Sequence, residues 1–188
     1  MNGKYNNFLF YSIMTASAAL LTIGAIAPAM AQSPTNDDRA TIEEIVVTAH
    51  IDSLRAVIRA WRRLDIDTVL SYVHDDITFN NSGGQKPALR GKVEMRAALE
   101  TFAEIVKEGR WRLFAWHEIG DTVWMEGVEE FVTHDGKRVV IPYAGVLEFQ
   151  DGLILNWREY FSDGLMNQLM NGEAVPAHVD AFIDRPEV

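Results

Sequence analysis

Residues 138–162 read RVVIPYAGVLEFQDGLILNWREYFS. Hydrophobicity alternates with a period of two on both sides of Asp151-Gly152, a dipeptide that favours a tight hairpin. Two antiparallel strands, 138–149 and 153–162, are therefore expected. The same period holds upstream as far as Gly109, giving strands over 111–119 and 122–133 with turns at Gly120-Asp121 and Asp135-Gly136. Four strands joined by hairpins make a meander. Towards the N-terminus the period changes: Leu54, Val57, Ile58 and Trp61 are spaced for one face of a helix. A short second helix is predicted over 67–73 and a strand over 77–81, running into the Ser82-Gly83-Gly84 turn. A third helix is predicted over 92–107 with Met95, Leu99, Phe102 and Val106 on its buried stripe, and a short closing helix over 166–170. The sum is an α+β fold: a curved, mixed, mostly antiparallel sheet wrapped around three helices, with a pocket on the concave face. Apolar residues on the other face, among them Val128, Val132 and Ile154, predict a homodimer packed through the sheet.

The chain of 188 residues is 48% hydrophobic, enough for one compact domain and too short for two. With 17 Lys and Arg against 27 Asp and Glu it carries a net charge of −10, which argues against nucleic acid as a partner. The absence of cysteine removes disulfides, thiolate metal sites and thiol nucleophiles. Catalysis would have to use carboxylates, His, Tyr, Lys or Ser. His74 and His117 read as surface or structural residues, His134 lacks metal-ligand companions, no H-E-x-x-H occurs, and Ser82 to Lys86 lacks the spacing of a phosphate-binding loop. Neither a metal nor a cofactor is expected.

Residues 1–31 read as a signal peptide. Lys4 precedes an apolar run from Phe8 to Ala27, Pro28 ends it, and Ala29-Met30-Ala31 is an A-x-A cleavage site before Gln32. The mature chain is therefore expected in the periplasm or outside the cell. Residues 32–49 form a polar leader, within which Ile42 to Ala49 resembles the TonB box of outer-membrane receptors and could add a strand to a TonB-like partner. The domain proper is expected over 50–172, followed by a tail over 173–188.

The last strand carries the chemistry. Leu153, Leu155, Trp157 and Phe161 mark its odd positions as the buried face, and Glu159 stands among them. A desolvated carboxylate has a raised pKa or a partner, which makes Glu159 a candidate acid or base. Centring the hairpins on their turns places Glu129 opposite about residue 142 and Glu159 opposite about residue 144, so that the two carboxylates flank the middle strand at one height. A bulge near Gly145 would move that register by one.

The run from Gly145-Val146 through Gly152 to Trp157-Arg158-Glu159-Tyr160-Phe161 resembles the G-V…G…W-R-D-Y-F strand pair of limonene epoxide hydrolases. These belong to the nuclear transport factor 2-like superfamily of cone-shaped domains, with SnoaL-like polyketide cyclases and steroid isomerases as relatives. The resemblance implies a small apolar substrate and a cofactor-independent addition of water to an epoxide. It puts the base on Glu159, the proton donor on Glu129 and the water-positioning amide on Asn81. Phe79 stands where that family has a Tyr, and Gly127 where it has the Arg that bridges the carboxylates; Ile141, Tyr143, Trp157 and Phe161 join them as pocket-lining residues. The double change Phe79→Tyr and Gly127→Arg is accordingly expected to raise turnover. Two alternatives stand beside this one: a non-catalytic carrier of apolar ligands in the cell envelope, and a proton-transfer isomerase or cyclase.

Overall fold

The computed structural model describes residues 50–188; the expected signal peptide, its cleavage site and the TonB-box-like segment lie outside them. Helix α1 runs over 50–61 and buries Leu54, Val57 and Ile58 on the stripe read from the sequence. Leu64, with φ of 53°, turns the chain, and Asp65 caps α2 (Ile66–Ser71) by accepting from the Thr68 amide at 3.1 Å. Strand β1 (Val73–Asn80) and the short β2 (Leu89–Arg90) precede α3 (Gly91–Ala103). The meander follows as β3 (Val106–Ile119), β4 (Thr122–Thr133), β5 (Arg138–Gln150) and β6 (Leu153–Tyr160). Helices α4 (Asp163–Met170) and α5 (Ala177–Asp180) and a 3-10 turn (Ala181–Asp184) close the chain.

The six strands form one sheet in the order β2-β1-β6-β5-β4-β3, in which only the β1–β6 pairing is parallel. The expected α+β architecture, with a mixed and mostly antiparallel sheet, is what the chain adopts. Some boundaries differ. Val73 opens β1 instead of closing α2, and Val106, expected on the third helix, is the first residue of β3. Val106 is buried either way, so burial alone could not tell a helix stripe from a strand that begins early.

A bulge corrects the parity of the last strand. Glu148 pairs with Asn156 but Phe149 pairs with Ile154, leaving Leu155 as the extra residue. Ile154 is therefore core and fully buried, together with Trp157, whereas Leu155 is only partly covered.

The outer face of the sheet is covered from within the chain. Phe114, Val128 and Val140 form a cluster with Val179, and Leu165, Val175, Phe182 and Ile183 pack against it. Arg185 lies over the Phe114 ring at 4.5 Å and pairs with Glu126. Part of the surface that argued for a homodimer is covered: Ile154 belongs to the core and Val128 lies under residues 175–183, while Val132 stays partly accessible. The stretch read as a tail is part of the domain. Deleting residues 174–188 should expose Val128 and Val140, lower the melting temperature and cause self-association; size-exclusion chromatography and melts showing an unchanged size and stability would contradict this.

Candidate active site

The concave face holds two packed clusters, one built on α1, β1 and the Trp111–Trp157 stack, the other on Val106, Phe131, Val139, Ile141 and Leu169. Phe161 packs against both. Glu129 and Glu159 sit among these groups, each partly accessible, with Trp61, Phe102, Phe161 and Met166 as partly buried neighbours of the clusters.

Each carboxylate is held by an indole. Trp61, on the last turn of α1, donates Nε1–H to Glu129 Oε1 at 2.9 Å. Trp157 donates Nε1–H to Glu159 Oε1 at 3.0 Å within its own strand. Burial raises the Glu129 carboxyl above its ordinary range, and the Trp61 bond only partly opposes this. Glu159 is pushed up to about 8, first by burial and then by the negative charge of Glu129, against the opposing Trp157 bond. The charge of Glu129 thus bears on the titration of Glu159.

Their register differs from the one expected. Glu129 pairs with Ile141 and Glu159 with Gly145, four residues apart along β5 where partners near 142 and 144 were expected. Four residues span about 13 Å of strand. Two features each add one residue to the two that separated the expected partners: the turn between β4 and β5 pairs Val132 with Arg138, and the Leu155 bulge advances β6 by one. Across that separation the charge of Glu129 still contributes to raising Glu159.

Gly127 has a structural cause. Its cross-strand partner is Tyr143, whose ring lies against the glycine and whose hydroxyl donates to the Arg112 carbonyl at 3.1 Å. A Cβ at position 127 would stand 1.9 Å from the Arg112 oxygen and 2.5 Å from the Tyr143 hydroxyl. The expectation that Gly127→Arg would restore a bridging cation is therefore overturned: the space is filled. Nor does Arg112 reach inward. It donates to the Ile183 carbonyl at 3.0 Å and to Glu130 at 3.1 Å, among the groups that bind the C-terminal segment. Burial, followed by the Glu159 charge, raises the Tyr143 phenol well above its usual range, so it stays neutral and its proton is committed to Arg112.

The remaining expected residues divide. Phe79 is buried and packs edge-on against Trp157 at 5.4 Å. Ile141 is buried beside Glu129 on the neighbouring strand. Asn81 lies one residue past β1 and is exposed; counting on from the Asn80–Arg158 pair brings it level with Glu159. Trp61 was read from the sequence only as a core residue, although a Trp on a buried stripe needs an acceptor for its N–H, and that need pointed to a nearby carboxylate. Hollows of about 340 and 200 Å³ lie elsewhere, one beside Arg138 and Gly172 and the other beside Asn80 and Arg158. The arginines there are already paired with Glu130, Asp180 and Glu148. Among the described residues no group of three or more His, Asp or Glu side chains is placed to hold a metal ion.

Comparison with known proteins places this arrangement in context. The model of a SnoaL-like domain matches residues 54–157. An LEH-like epoxide hydrolase of M. tuberculosis is similar at 25% identity over 67% of this chain and 92% of that one, with a TM-score of 0.58. A putative polyketide cyclase of Xanthomonas campestris shares the fold at 19% identity, over 68% of this chain and 99% of that one, with a TM-score of 0.60. So does TerC, crystallised with polyporic acid, at 19% identity over 65% of this chain and 98% of that one, with a TM-score of 0.59. No curated protein matches the chain at a significant level.

Proposed function

The chain belongs to the SnoaL-like family, and from that premise we propose that it adds water to a small apolar epoxide, using Glu129 and Glu159 as one acid–base centre. The observation that carries this reading is the pair itself: two inward carboxylates, each bonded to an uncharged indole, with pKa values raised by burial and, at Glu159, by the other's charge. Two carboxyls with raised pKa values in one site can serve as base and acid.

In the proposed step Glu159 takes a proton from water as the water oxygen bonds to an epoxide carbon. The carbon–oxygen bond of the ring breaks, and Glu129 delivers its proton to the departing oxygen. The product is a vicinal diol. The pair ends with its proton moved from Glu129 to Glu159, and exchange with solvent returns it. Turnover draws on the arrangement with the proton on Glu129, and Asn81, level with Glu159, is the amide that orients the water. Hydrolysis of a terpene-like epoxide in H₂¹⁸O is expected to place ¹⁸O in the diol within the first turnover. Label appearing only after several turnovers would mean that a carboxylate attacks first, and no diol at all would reject the reading.

A second reading has its own observation. Phe79 contributes no hydroxyl and is packed into the core, which suits a carrier of apolar ligands as well as a hydrolase. Tight ligand binding without turnover would favour it. The leader sequence supports placing either activity outside the cytoplasm. The mature N-terminus is then expected at Gln32, and mass spectrometry detecting Met1 in envelope fractions would refute that.

A further inference from the structure

We propose that Trp61 is a positioning residue that assigns the reactive oxygen of Glu129: its indole N–H occupies Oε1, so the proton delivered in the reaction is carried on Oε2. The proposal rests on the acid role given to Glu129 above. An indole nitrogen donates and never accepts. It therefore bonds to Oε1 when the carboxyl is ionised and still needs that oxygen as the acceptor when the carboxyl is protonated. The acid proton is left with one place to sit. A guanidinium, by contrast, would favour the ionised form more strongly, lower the pKa and leave the group without a proton to deliver.

The geometry fixes Trp61 in this task. Its ring stacks on Phe102 at 5.6 Å, and Phe102 packs edge-on against Phe131 at 5.1 Å. Phe131 is two residues beyond Glu129 on the same face of β4, so the contacts close a loop from the donor back to the strand that carries the acceptor. The next residue, Arg62, donates from Nε and Nη2 to the Trp111 carbonyl at 2.9 and 2.6 Å and pairs with Glu187. The end of α1 is thus clamped. A cation reaching Glu129 from position 127 has no room beside the Arg112 carbonyl, and an uncharged donor arrives from the helix instead.

The test replaces Trp61 by β-(3-benzothienyl)alanine, which keeps the ring shape and lacks the N–H, with Trp61→Phe as the version made by ordinary mutagenesis. The Glu129 carboxyl is followed by ¹³C NMR titration, assigned with Glu129→Gln, and turnover of the epoxide is measured beside it. Loss of the donor is expected to raise the Glu129 midpoint by roughly one pH unit and to lower kcat about tenfold with KM within about twofold. A role in packing alone would leave the titration where it was, and an unchanged midpoint in the isostere overturns the proposal whatever the rate does. The titration needs no turnover, so a protein that hydrolyses nothing would reject the hydrolase reading while the midpoint still decides whether the Trp61 N–H holds the Glu129 carboxyl.

Discussion

Glu159→Gln is expected to lower epoxide hydrolysis by about 10²–10⁴-fold, the usual worth of a general base, and to raise the melting temperature at alkaline pH. The two effects have one origin. In the folded chain the Glu159 carboxyl is pushed up to about 8 from an ordinary value of 4.5. Between those values the folded state holds a proton that the unfolded state has released, so stability falls as pH rises through that window. Below pH 4.5 both states are protonated and the full stability is present. Above about 8 the folded state carries the desolvated charge, at a cost on the order of a few kcal/mol. Gln keeps the shape and can still accept from Trp157, but it never ionises. The melting temperatures of variant and native protein should therefore coincide near pH 4 and separate steadily towards pH 9. A variant that melts lower across the whole range would mean that Glu159 is a structural anchor, not a buried base.

The largest effect on stability is expected at a residue that carries no chemistry. Gly127→Ala places a methyl 1.9 Å from a backbone oxygen and 2.5 Å from the Tyr143 hydroxyl, where neither β3 nor the tyrosine can yield without moving the other. Overpacking of this kind costs about 3 kcal/mol, or roughly 10 °C in melting temperature for a domain of this size. Gly109→Ala is the matched control on the same sheet. A Cβ there meets the Phe131 side chain at 3.5 Å, an ordinary contact, and the change should stay within about 0.5 kcal/mol. Thermal melts in which Gly127→Ala behaves like Gly109→Ala would show that Tyr143 is free to leave the glycine. The pairing described here would then be incidental.

Residue by residue, the sequence was most legible where a local pattern was strong. The Asp151-Gly152 hairpin and the alternation around it placed β5 and β6, and the carboxylate among the apolar positions of β6 singled out Glu159. Legibility failed where a single residue resets the count. Leu155 bulges without any Gly or Pro to announce it, and this, with the register across the Thr133–Arg138 turn, widened the separation of the two carboxylates along β5 from about two residues to four. It failed again where distant segments meet. Nothing local to Val128 shows that residues 175–183 will cover it, so an apolar outer face resembled a dimer surface. Gly127 read as a lost arginine because the sequence does not show that Tyr143 lies across it. Trp61 read as one more core residue, since its acceptor lies 68 positions away in the chain.

The central claim is that Glu129 and Glu159 act as one singly protonated acid–base centre. The measurement that tests it most directly is the pH dependence of kcat/KM for a small apolar epoxide, taken from pH 4 to 10. Because the charge of Glu129 is among the causes that raise Glu159, the value near 8 belongs to the second proton to leave the pair. The account requires a bell-shaped profile that rises as the first proton is lost, falls with an alkaline limb near 8, and loses its amplitude in both Glu129→Gln and Glu159→Gln. A profile flat across that range, or turnover that survives either substitution, would contradict it.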